Sequence, residues 1–497
     1  MDIVLVASEV VPFSKTGGLA DVVGALAKTL SSSGHRVLCI SPAYASAKLD
    51  DGSVLPFDGE TRVDVGWKTQ KVRWSLREVE GATFAFAHHP LFEREGLYGD
   101  HLGPYGDNHL RYAILCKAAI EGARILPVGG APLGESPLFH VHDWQGSLVP
   151  VYLNAIYRPL GLFDRSPTVL TLHNLAHQGW FATEKFADLE LPPRWFSDWG
   201  LEWYGHGSLL KGGVLQSDML TTVSPTYAKE ILQDGGAHGL EPVLRHRAND
   251  LFGIVNGIDT GVWNPTSDPH LPATYTADDL TGKAVCQRAL REELGLPQLT
   301  GAPLLGTVGR LDPQKGISSL IASIPWLVEE QNAQVVVLGS AAAAHRDFED
   351  ELRRLERTYP NHIRAWIGYS ERLAHLIEAG ADLFVMPSLF EPCGLNQMYS
   401  LAYGTPPVVR ATGGLTDTVR PHDPNGDAGT GWVFEQPTGA ALREALFYAI
   451  HTWRHHPEAF RRVQVQGMAE GNAWTHRVAP YLEVYQKAYA RRQELAD

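Results

Sequence analysis

Cysteine is scarce in this sequence. Only 4 of the 497 residues are cysteines, and no two of them form a C-x-x-C pair. This scarcity argues against a disulfide-stabilised scaffold and against a zinc ribbon, and it fits the reducing cytoplasm, which is the location that we predict. The four cysteines are Cys39, Cys116, Cys286 and Cys393.

Long hydrophobic runs and an excess of basic charge are missing as well. No apolar stretch approaches the ~18 residues that a membrane-spanning helix needs. Residues 1–11 carry Asp2 and Glu9 and lack the basic segment that begins a signal peptide. The 42 Lys and Arg residues are outnumbered by 56 Asp and Glu residues, which gives a net charge of −14. We therefore expect neither a membrane nor a nucleic acid as a partner.

Three motifs that commonly bind nucleotides are absent. The sequence contains no D-x-D pair to hold a metal ion against a nucleotide diphosphate, no G-x-x-x-x-G-K-[ST] P-loop and no G-x-G-x-x-G dinucleotide fingerprint. A P-loop NTPase and a dinucleotide-dependent enzyme are thus disfavoured. If the chain binds a diphosphate, positively charged side chains must do the work of the metal ion, and we predict no metal site.

Short apolar runs alternate with helical patterns along most of the chain. Runs this short, apolar on both faces, are typical of parallel strands covered by helices. The alternation predicts an α/β fold with parallel sheets and right-handed connections. The predicted strands are residues 3–7, 37–40, 84–87, 138–141, 168–172, 304–308, 335–338, 363–367, 383–386 and 407–409. The predicted helices include residues 21–32, 317–330, 348–358 and 372–379.

A stretch rich in Pro and Asp, residues 263–272, separates two groups of predicted strands. We place a domain boundary just before this stretch, because it shows neither helical nor strand periodicity. The prediction is a first domain over residues 1–260, a second over 261–473 and a C-terminal helix over 474–497. The apolar face of that helix contains Tyr481, Val484, Tyr485 and Ala488.

The loop Lys15-Thr-Gly-Gly18 directly follows the first predicted strand. Its glycines allow backbone N–H groups to approach a ligand, the following helix N-terminus favours anions, and Lys15 adds a positive charge. The loop suits a phosphate or a leaving group that becomes negative. A tight turn with a solvated lysine explains the same residues equally well.

A second loop repeats this logic after the strand at 304–308. Arg310 and Lys315 flank a turn built on Asp312-Pro313, so both cations can reach one anion. Together they can neutralise a diphosphate about as one divalent metal ion would. The alternative is an exposed turn held by ion pairs.

A third loop, Pro387-Ser-Leu-Phe-Glu-Pro-Cys-Gly-Leu-Asn396, follows the strand at 383–386. Glu391 can accept hydrogen bonds from sugar hydroxyls, and the N–H groups of Gly394 and Leu395 open a helix toward a phosphate. Cys393 lies between Pro and Gly without an adjacent His, which favours a packing residue over a nucleophile.

Histidines end two strands of the first half. His140 and His142 could bind a metal from one strand face, but no third ligand follows at a suitable spacing, which favours neutral hydrogen-bonding imidazoles. Trp144 and Trp180 offer flat apolar faces of the kind that line carbohydrate sites. A role in the core fits either tryptophan equally well.

Eight sequence motifs follow one another along the chain. They are Lys-Thr-Gly-Gly-Leu-Ala-Asp-Val (15–22), His-Asp-Trp (142–144), His-Asn-Leu-Ala-His-Gln-Gly (173–179), Thr-Val-Ser-Pro-Thr-Tyr-Ala (222–228), Asn-Gly-Ile-Asp (256–259), Gly-Arg-Leu-Asp-Pro-Gln-Lys-Gly (309–316), Glu-Pro-Cys-Gly-Leu (391–395) and Thr-Gly-Gly-Leu-Thr-Asp-Thr-Val (412–419). In these motifs and their order, the chain resembles the family of bacterial glycogen synthases and plant starch synthases over nearly its whole length. The resemblance implies a two-domain glycosyltransferase fold of the GT-B type, with two Rossmann-like domains, a deep inter-domain cleft and a C-terminal helix that packs back on the first domain.

The same resemblance implies an activity. It is the transfer of glucose from ADP-glucose to the non-reducing end of an α-1,4-glucan, glycogen or a malto-oligosaccharide, with retention and without a metal or pyridoxal phosphate. A glucan phosphorylase and a glucan-binding module without turnover are the alternatives. The cations Lys15, Arg310 and Lys315 argue against the passive module, since a neutral polysaccharide does not need them.

Roles for individual residues follow from the matched positions. The resemblance implies that Arg310 and Lys315 hold the diphosphate, that Lys15 contacts the phosphate or nascent ADP, that Glu391 holds glucose hydroxyls, and that His173 lies beside the anomeric carbon. The substrate-binding residues that we predict are Gly18, Asp21, Asp143, Asn256, Tyr369 (stacked on adenine), Cys393, Gly394 and Leu395. The chain departs from the pattern at Asn396, where relatives often have Thr, and at Tyr399, where many retaining transferases of this fold have a second Glu.

Overall fold

The computed structural model describes residues 1–47, 49, 54–101, 103–424 and 428–496. The chain forms two compact units. One contains Met1–Gly257 and the C-terminal residues from Trp474 onward, and the other is Ile258–Ala473. Among the described residues, no helix is both long enough and apolar enough to cross a membrane.

The first unit is built on a nine-stranded sheet. Its strand order is β14-β13-β9-β8-β1-β2-β5-β4-β3, and the neighbours are parallel except at the β5-β4-β3 edge. The strands of this unit are β1 (Asp2–Val6), β2 (Arg36–Pro42), β3 (Leu55–Asp64), β4 (Thr69–Val79), β5 (Ala82–His88), β6 (Gly99–Asp100), β7 (Gly103–Pro104), β8 (Leu138–His142), β9 (Thr168–Leu172), β10 (Trp180–Ala182), β11 (Glu202–Trp203), β12 (His206–Ser208), β13 (Met219–Thr222) and β14 (Leu251–Gly253).

Helices cover the parallel part of this sheet. The residues of β1 from Ile3 to Val6 are fully buried, as expected of a central strand with helices on both faces. The helices are α1 (Gly18–Ser32), α2 (Asn108–Ile125), α3 (Asp143–Gly146), α4 (Leu148–Tyr152), α5 (Leu209–Gln216), α6 (Pro225–Glu230) and α7 (Glu241–His246).

The sequence patterns did not predict four strands of this sheet, namely the antiparallel hairpin β3–β4 at one edge and β13 and β14 at the other. Residues along both strands of the hairpin alternate between buried and exposed positions, because only one face of the hairpin is covered. A search for continuous apolar runs overlooks strands of this kind, since their period-two pattern is mostly polar.

The second unit contains a six-stranded, wholly parallel sheet in the order β17-β16-β15-β18-β19-β20. Its strands are β15 (Leu304–Val308), β16 (Gln334–Gly339), β17 (Ile363–Ile367), β18 (Leu383–Met386), β19 (Pro407–Arg410) and β20 (Trp432–Phe434). Its helices are α8 (Thr281–Glu293), α9 (Ile317–Glu329), α10 (Asp347–Thr358), α11 (Glu371–Gly380), α12 (Asn396–Ala402), α13 (Gly413–Thr418), α14 (Gly439–His455) and α15 (Pro457–Met468). The predicted α/β class with parallel sheets is confirmed.

The chain ends in helix α16 (Val478–Ala496), which packs on the first unit. Tyr481 and Tyr485 are completely buried in the same core as β1 and α1. The hydroxyl of Tyr485 shares a 2.7 Å hydrogen bond with Nδ1 of His140, in the middle of β8. The apolar face that the sequence predicts for this helix is therefore a buried one.

Candidate active site

The first candidate loop lies at the carboxyl end of β1 and leads into α1. Residues 15–18 are exposed, and Gly18 is the first residue of the helix. Nζ of Lys15 lies 2.8 Å from Oδ1 of Asp21 in the first turn of the helix. The loop thus presents a lysine and exposed backbone beside a helix N-terminus, the combination that favours an anion.

A buried carboxyl group holds this loop in place through hydrogen bonds. Glu9 is only 3% exposed, and its carboxylate accepts hydrogen bonds from the backbone N–H and from the hydroxyl of Thr16. Burial raises the pKa of Glu9 to about 7, although the Thr16 donors oppose the shift. No sequence pattern predicted this role. The available signal was an acidic residue two positions after the predicted strand at residues 3–7.

Asp143 and His173 lie together in the first unit. Asp143 follows β8 with a φ of 53°, and its Oδ1 accepts a 2.7 Å hydrogen bond from the backbone N–H of His173. Burial raises the pKa of Asp143 to about 7, and the hydrogen bonds from the His173 and Asn174 backbone oppose the rise. The left-handed backbone at Asp143 turns its carboxylate toward the chain segment that follows β9.

The His173 ring is linked to a second histidine. Nε2 of His173 and Nδ1 of His142 share a 2.9 Å hydrogen bond. Burial lowers the pKa of His173 to about 3, so the ring is neutral near pH 7. It can exchange a hydrogen bond with a ligand but brings no charge.

The remaining polar and aromatic candidates of the first unit have different environments. His140 bonds Tyr485 and, at 2.6 Å, Oγ1 of Thr171, which makes it a buried structural residue. Trp144 is buried against other aromatic rings, whereas Trp180 is 48% exposed. Asn256 is buried, and its Oδ1 has no hydrogen-bond partner among the described residues.

In the second unit, the loop after β15 carries Arg310 and Lys315. Oδ1 of Asp312 accepts the backbone N–H of Lys315 at 3.0 Å, which holds the turn. Arg310 is exposed, with a guanidinium nitrogen 3.0 Å from Oδ2 of Asp312. Nζ of Lys315 lies 2.6 Å from Oε2 of Glu391. The structure therefore joins two of the predicted residues that are distant in sequence.

Glu391 is held in a tightly packed loop after β18. It is 5% exposed, and Oγ of Ser388 donates to its Oε2 at 3.0 Å. Gly316 closes the Arg310–Lys315 turn with a φ of 66°, and a Cβ placed there would lie 2.0 Å from the Pro387 carbonyl oxygen. Only glycine allows the two loops to approach this closely.

The residues after Glu391 continue the same loop toward α12. Cys393 is buried, and Gly394 has a φ of 72°. The side-chain amide of Gln397 donates to the Cys393 carbonyl at 2.9 Å. Leu395 directly precedes α12, and Nδ2 of Asn396 donates to the Val308 carbonyl at 2.6 Å. Asn396 thus ties α12 to the end of β15.

Tyr369 lies at the end of β17, directly after Gly368, which has a φ of 141°. Its ring is 75% exposed. An exposed flat ring at the carboxyl edge of the sheet can stack on a base, which is the role predicted for it.

The candidate loops of each unit meet a general rule of open α/β sheets. Ligands bind at the carboxyl ends of the strands where the strand order reverses. In the first unit this point lies between β1 and β8, whose loops carry Lys15 and Asp143. In the second unit it lies between β15 and β18, whose loops carry Lys315 and Glu391.

Comparison with protein-family models gives two matches. The starch synthase catalytic domain matches residues 2–246, and the glycosyl transferases group 1 family matches residues 291–462. Each match falls within one of the two compact units.

Similar proteins cover the whole chain. A glycogen synthase from Anaeromyxobacter dehalogenans is 44% identical over 98% of this chain and 98% of its own length. Soluble starch synthase 1 from Oryza sativa subsp. indica is 41% identical over 98% of this chain and 78% of its own length.

A solved structure is similar as well. The catalytic domain of starch synthase IV from Arabidopsis thaliana, bound to ADP and acarbose, has a TM-score of 0.90 and 32% identity and covers 98% of this chain and 99% of its own. These findings confirm the resemblance that the eight motifs carry. The chain belongs to the glycogen and starch synthase family of glycosyltransferases.

Proposed function

We propose that this protein transfers glucose from ADP-glucose to the non-reducing end of an α-1,4-glucan, glycogen or a malto-oligosaccharide, with retention at the anomeric carbon. One observation carries the proposal. At the strand-order reversal of the second sheet, two cations and a buried carboxylate lie in adjacent loops, with Nζ of Lys315 2.6 Å from Oε2 of Glu391. The ADP and acarbose bound to the related starch synthase IV domain support a nucleotide and a glucan as ligands.

The donor chemistry requires positive charge near the diphosphate. Breaking the bond between the anomeric carbon and the phosphate oxygen leaves negative charge on ADP, which preorganised cations stabilise in the transition state. We assign this role to Arg310 and Lys315. The exposed guanidinium of Arg310 can form two parallel hydrogen bonds to phosphate oxygens.

The ion pair between Lys315 and Glu391 positions both groups and leaves each able to bind the sugar nucleotide. An ammonium group has three N–H donors, so Lys315 can keep Glu391 and still donate to a phosphate oxygen. Glu391 has a second carboxylate oxygen besides the one bonded to Lys315 and Ser388. We propose that this oxygen accepts a glucose hydroxyl, and that the ring of Tyr369 stacks on adenine.

The first unit supplies groups of different character. We propose that Lys15 and the exposed backbone of residues 16–18 contact the phosphate or the departing ADP. The neutral ring of His173 suits a hydrogen bond to the reacting glucose without a charge that would oppose an oxocarbenium-like sugar. Asp21, Asp143 and Asn256 are proposed to contact sugar hydroxyls.

The proposed mechanism needs no metal and no pyridoxal phosphate. The acceptor hydroxyl attacks the anomeric carbon from the face that ADP leaves, and its proton passes to the departing phosphate oxygen. Side-chain cations take the place of the metal ion that a D-x-D motif would hold. We place this activity in the cytoplasm, in keeping with the scarcity of cysteine and the burial of all four cysteines.

The test is an initial-rate assay with glycogen as primer. We expect transfer from ADP-glucose with a kcat/KM well above that for UDP-glucose, and a strongly reduced rate in the Arg310→Ala variant. Glycogen with inorganic phosphate serves as the control for a phosphorylase. Release of glucose 1-phosphate in that control, with no transfer from either sugar nucleotide, would contradict the proposal.

A further inference from the structure

The second unit contains a cluster of metal-ligand residues that the function described above does not use. His270, Glu371 and His375 each offer one ligand atom, and these three atoms lie within 4.8 Å of one another. Glu371 and His375 are four residues apart on α11 and so share one helix face, while His270 comes from the segment of the same unit that precedes α8. Sequence spacing did not reveal this group, because two ligands lie far from the third along the chain.

His375 is the centre of the cluster and is completely buried. Its Nδ1 lies 2.7 Å from Oδ2 of Asp268. Its other ring nitrogen, Nε2, is buried without a hydrogen-bond partner among the described residues. A buried imidazole nitrogen without a partner is costly, so a ligand for this atom has a physical reason to bind.

Asp268 determines which ring nitrogen can bind that ligand. Oδ2 of Asp268 also accepts the Tyr403 hydroxyl at 2.5 Å, and Oδ1 accepts the His270 backbone N–H at 2.8 Å. A carboxylate oxygen can only accept, so the contact with Asp268 requires the tautomer of His375 in which Nδ1 is the donor. Nε2 then carries the free lone pair, and a carboxylate behind a histidine in this way is the usual support of a metal-binding imidazole.

We propose that His270, Glu371 and His375 bind a divalent transition-metal ion of the zinc type, with Asp268 orienting His375. Two imidazoles and one carboxylate are a common zinc ligand set, and water can complete a tetrahedron. Bonds of about 2.1 Å place tetrahedral ligands roughly 3.4 Å apart. The ligand atoms, which lie within 4.8 Å of one another, must therefore approach by up to about 1.4 Å. The half-buried His270 and the exposed Glu371 can move this far by side-chain rotation, while His375 stays in place.

The ion would have a structural role in the second unit. It would join the segment containing His270 to α11. Trp263, at the start of that segment, stacks between the rings of His375 and Tyr399, with centroid distances of 3.8 Å on both sides. Tyr399 belongs to α12, which begins directly after the Glu391 loop. The metal would therefore stabilise the packing that supports this loop, without contacting the reacting sugar.

The test uses the full-length protein after removal of metals with a chelator. A second, exposed histidine pair, His451 and His455 on α14, has a ring distance of 4.7 Å and could bind metal weakly. All titrations are therefore made in the His451→Gln/His455→Gln background. We expect one equivalent of Zn²⁺ to bind by calorimetry, and Co²⁺ to give the visible absorption of a tetrahedral site.

Two ligand variants and one control decide the assignment. His270→Gln and Glu371→Gln change partly or fully exposed side chains, and each should weaken Zn²⁺ binding at least tenfold. His362→Gln, a half-buried histidine of the same unit outside the cluster, should bind as the parent does. Zn²⁺ should raise the thermal unfolding midpoint of the parent but not of His270→Gln.

Two results would overturn the proposal. One is the absence of any stoichiometric Zn²⁺ binding in the histidine-pair background. The other is binding of unchanged affinity in both His270→Gln and Glu371→Gln. In either case His375 would serve only as a buried partner of Asp268.

Discussion

The two units contain almost the same short motif, used in opposite ways. Thr-Gly-Gly-Leu-Ala-Asp begins at Thr16 and Thr-Gly-Gly-Leu-Thr-Asp begins at Thr412. Gly17 is exposed, and a Cβ placed there would have no described atom within 4 Å. Gly414 is buried, and a Cβ there would lie 2.2 Å from the carbonyl oxygen of Cys393.

The difference lies in what packs on the glycines. In the first unit the glycine pair is itself the exposed surface, and the buried Glu9 supports it from below. In the second unit the pair lies beneath the Glu391 loop, where the N–H of Gly414 donates to the Glu391 carbonyl at 3.1 Å. One motif is thus suited to approach a ligand, while the other holds the loop that does so.

The largest expected effect is on stability, in the second motif. Gly414→Ala forces the Cys393 backbone to move, and overpacking at such a site should lower the free energy of unfolding by about 3 kcal/mol. Denaturant unfolding measures the change. The matched control is Gly17→Ala, whose free energy of unfolding should stay within about 0.5 kcal/mol of the parent value. Equal losses in the two variants would remove the contrast between the motifs.

The second prediction concerns Arg310 and Lys315, the two cations of the loop after β15. Arg310→Ala and Lys315→Ala should each lower kcat by about 100-fold, as loss of a preorganised charge does elsewhere. Their effects on stability should differ, because Arg310 is exposed whereas Lys315 pairs with the buried Glu391. Only Lys315→Ala should also reduce the unfolding midpoint. An unchanged kcat in both variants would refute their assignment to the diphosphate.

The third prediction uses the titratable support of the first motif, which the second motif lacks. The pKa of Glu9 is raised to about 7 from 4.5, so the folded state binds this proton more tightly than the unfolded state. Protonation of Glu9 therefore adds to the free energy of unfolding at pH 5. This contribution, on the order of 2 kcal/mol, is lost as the pH rises through 7.

Glu9→Gln keeps an acceptor for Thr16 but cannot titrate. Its free energy of unfolding, relative to the parent, should therefore increase steadily from pH 5 to pH 8. Urea unfolding at several pH values gives this difference directly. A constant difference across the range would mean that Glu9 titrates normally in the folded protein.

A smaller effect is expected at the exposed glycine. Gly17→Ala should reduce kcat by about tenfold, because a methyl group on an anion-binding loop displaces the ligand by a fraction of an ångström. The fold should be unaffected, as the extended backbone at Gly17 suits any residue. Steady-state kinetics with ADP-glucose provides the measurement, and full activity would show that no ligand approaches this loop.

No effect on turnover is expected from metal removal. If side-chain cations act in place of a catalytic metal, EDTA should leave the rate of transfer from ADP-glucose unchanged. Loss of any ion from His375 should appear as a lower unfolding midpoint instead. A rate abolished by EDTA and restored by Mg²⁺ or Mn²⁺ would contradict the metal-free mechanism.

Local sequence determined the architecture of both units. Short runs that are apolar on both faces require burial between helices, and turn residues after them require loops at the carboxyl ends of the strands. The positions of the Lys15, Arg310 and Glu391 loops follow from this order alone. The position of the antiparallel hairpin β3–β4 could not be predicted in this way, because its alternating pattern resembles that of a polar loop.

Tertiary structure decided which of these residues meet. Lys315 pairs with Glu391, Glu9 supports Thr16, and His270 joins His375, although each pair is separated along the chain. No periodicity encodes such contacts, because they depend on strand order and on how closely two backbones approach. The paired Gly-Gly motifs show the same limit. Their sequences allow a close backbone approach in both places. Whether a ligand or a protein loop approaches the glycines depends on which segment of the fold packs beside them.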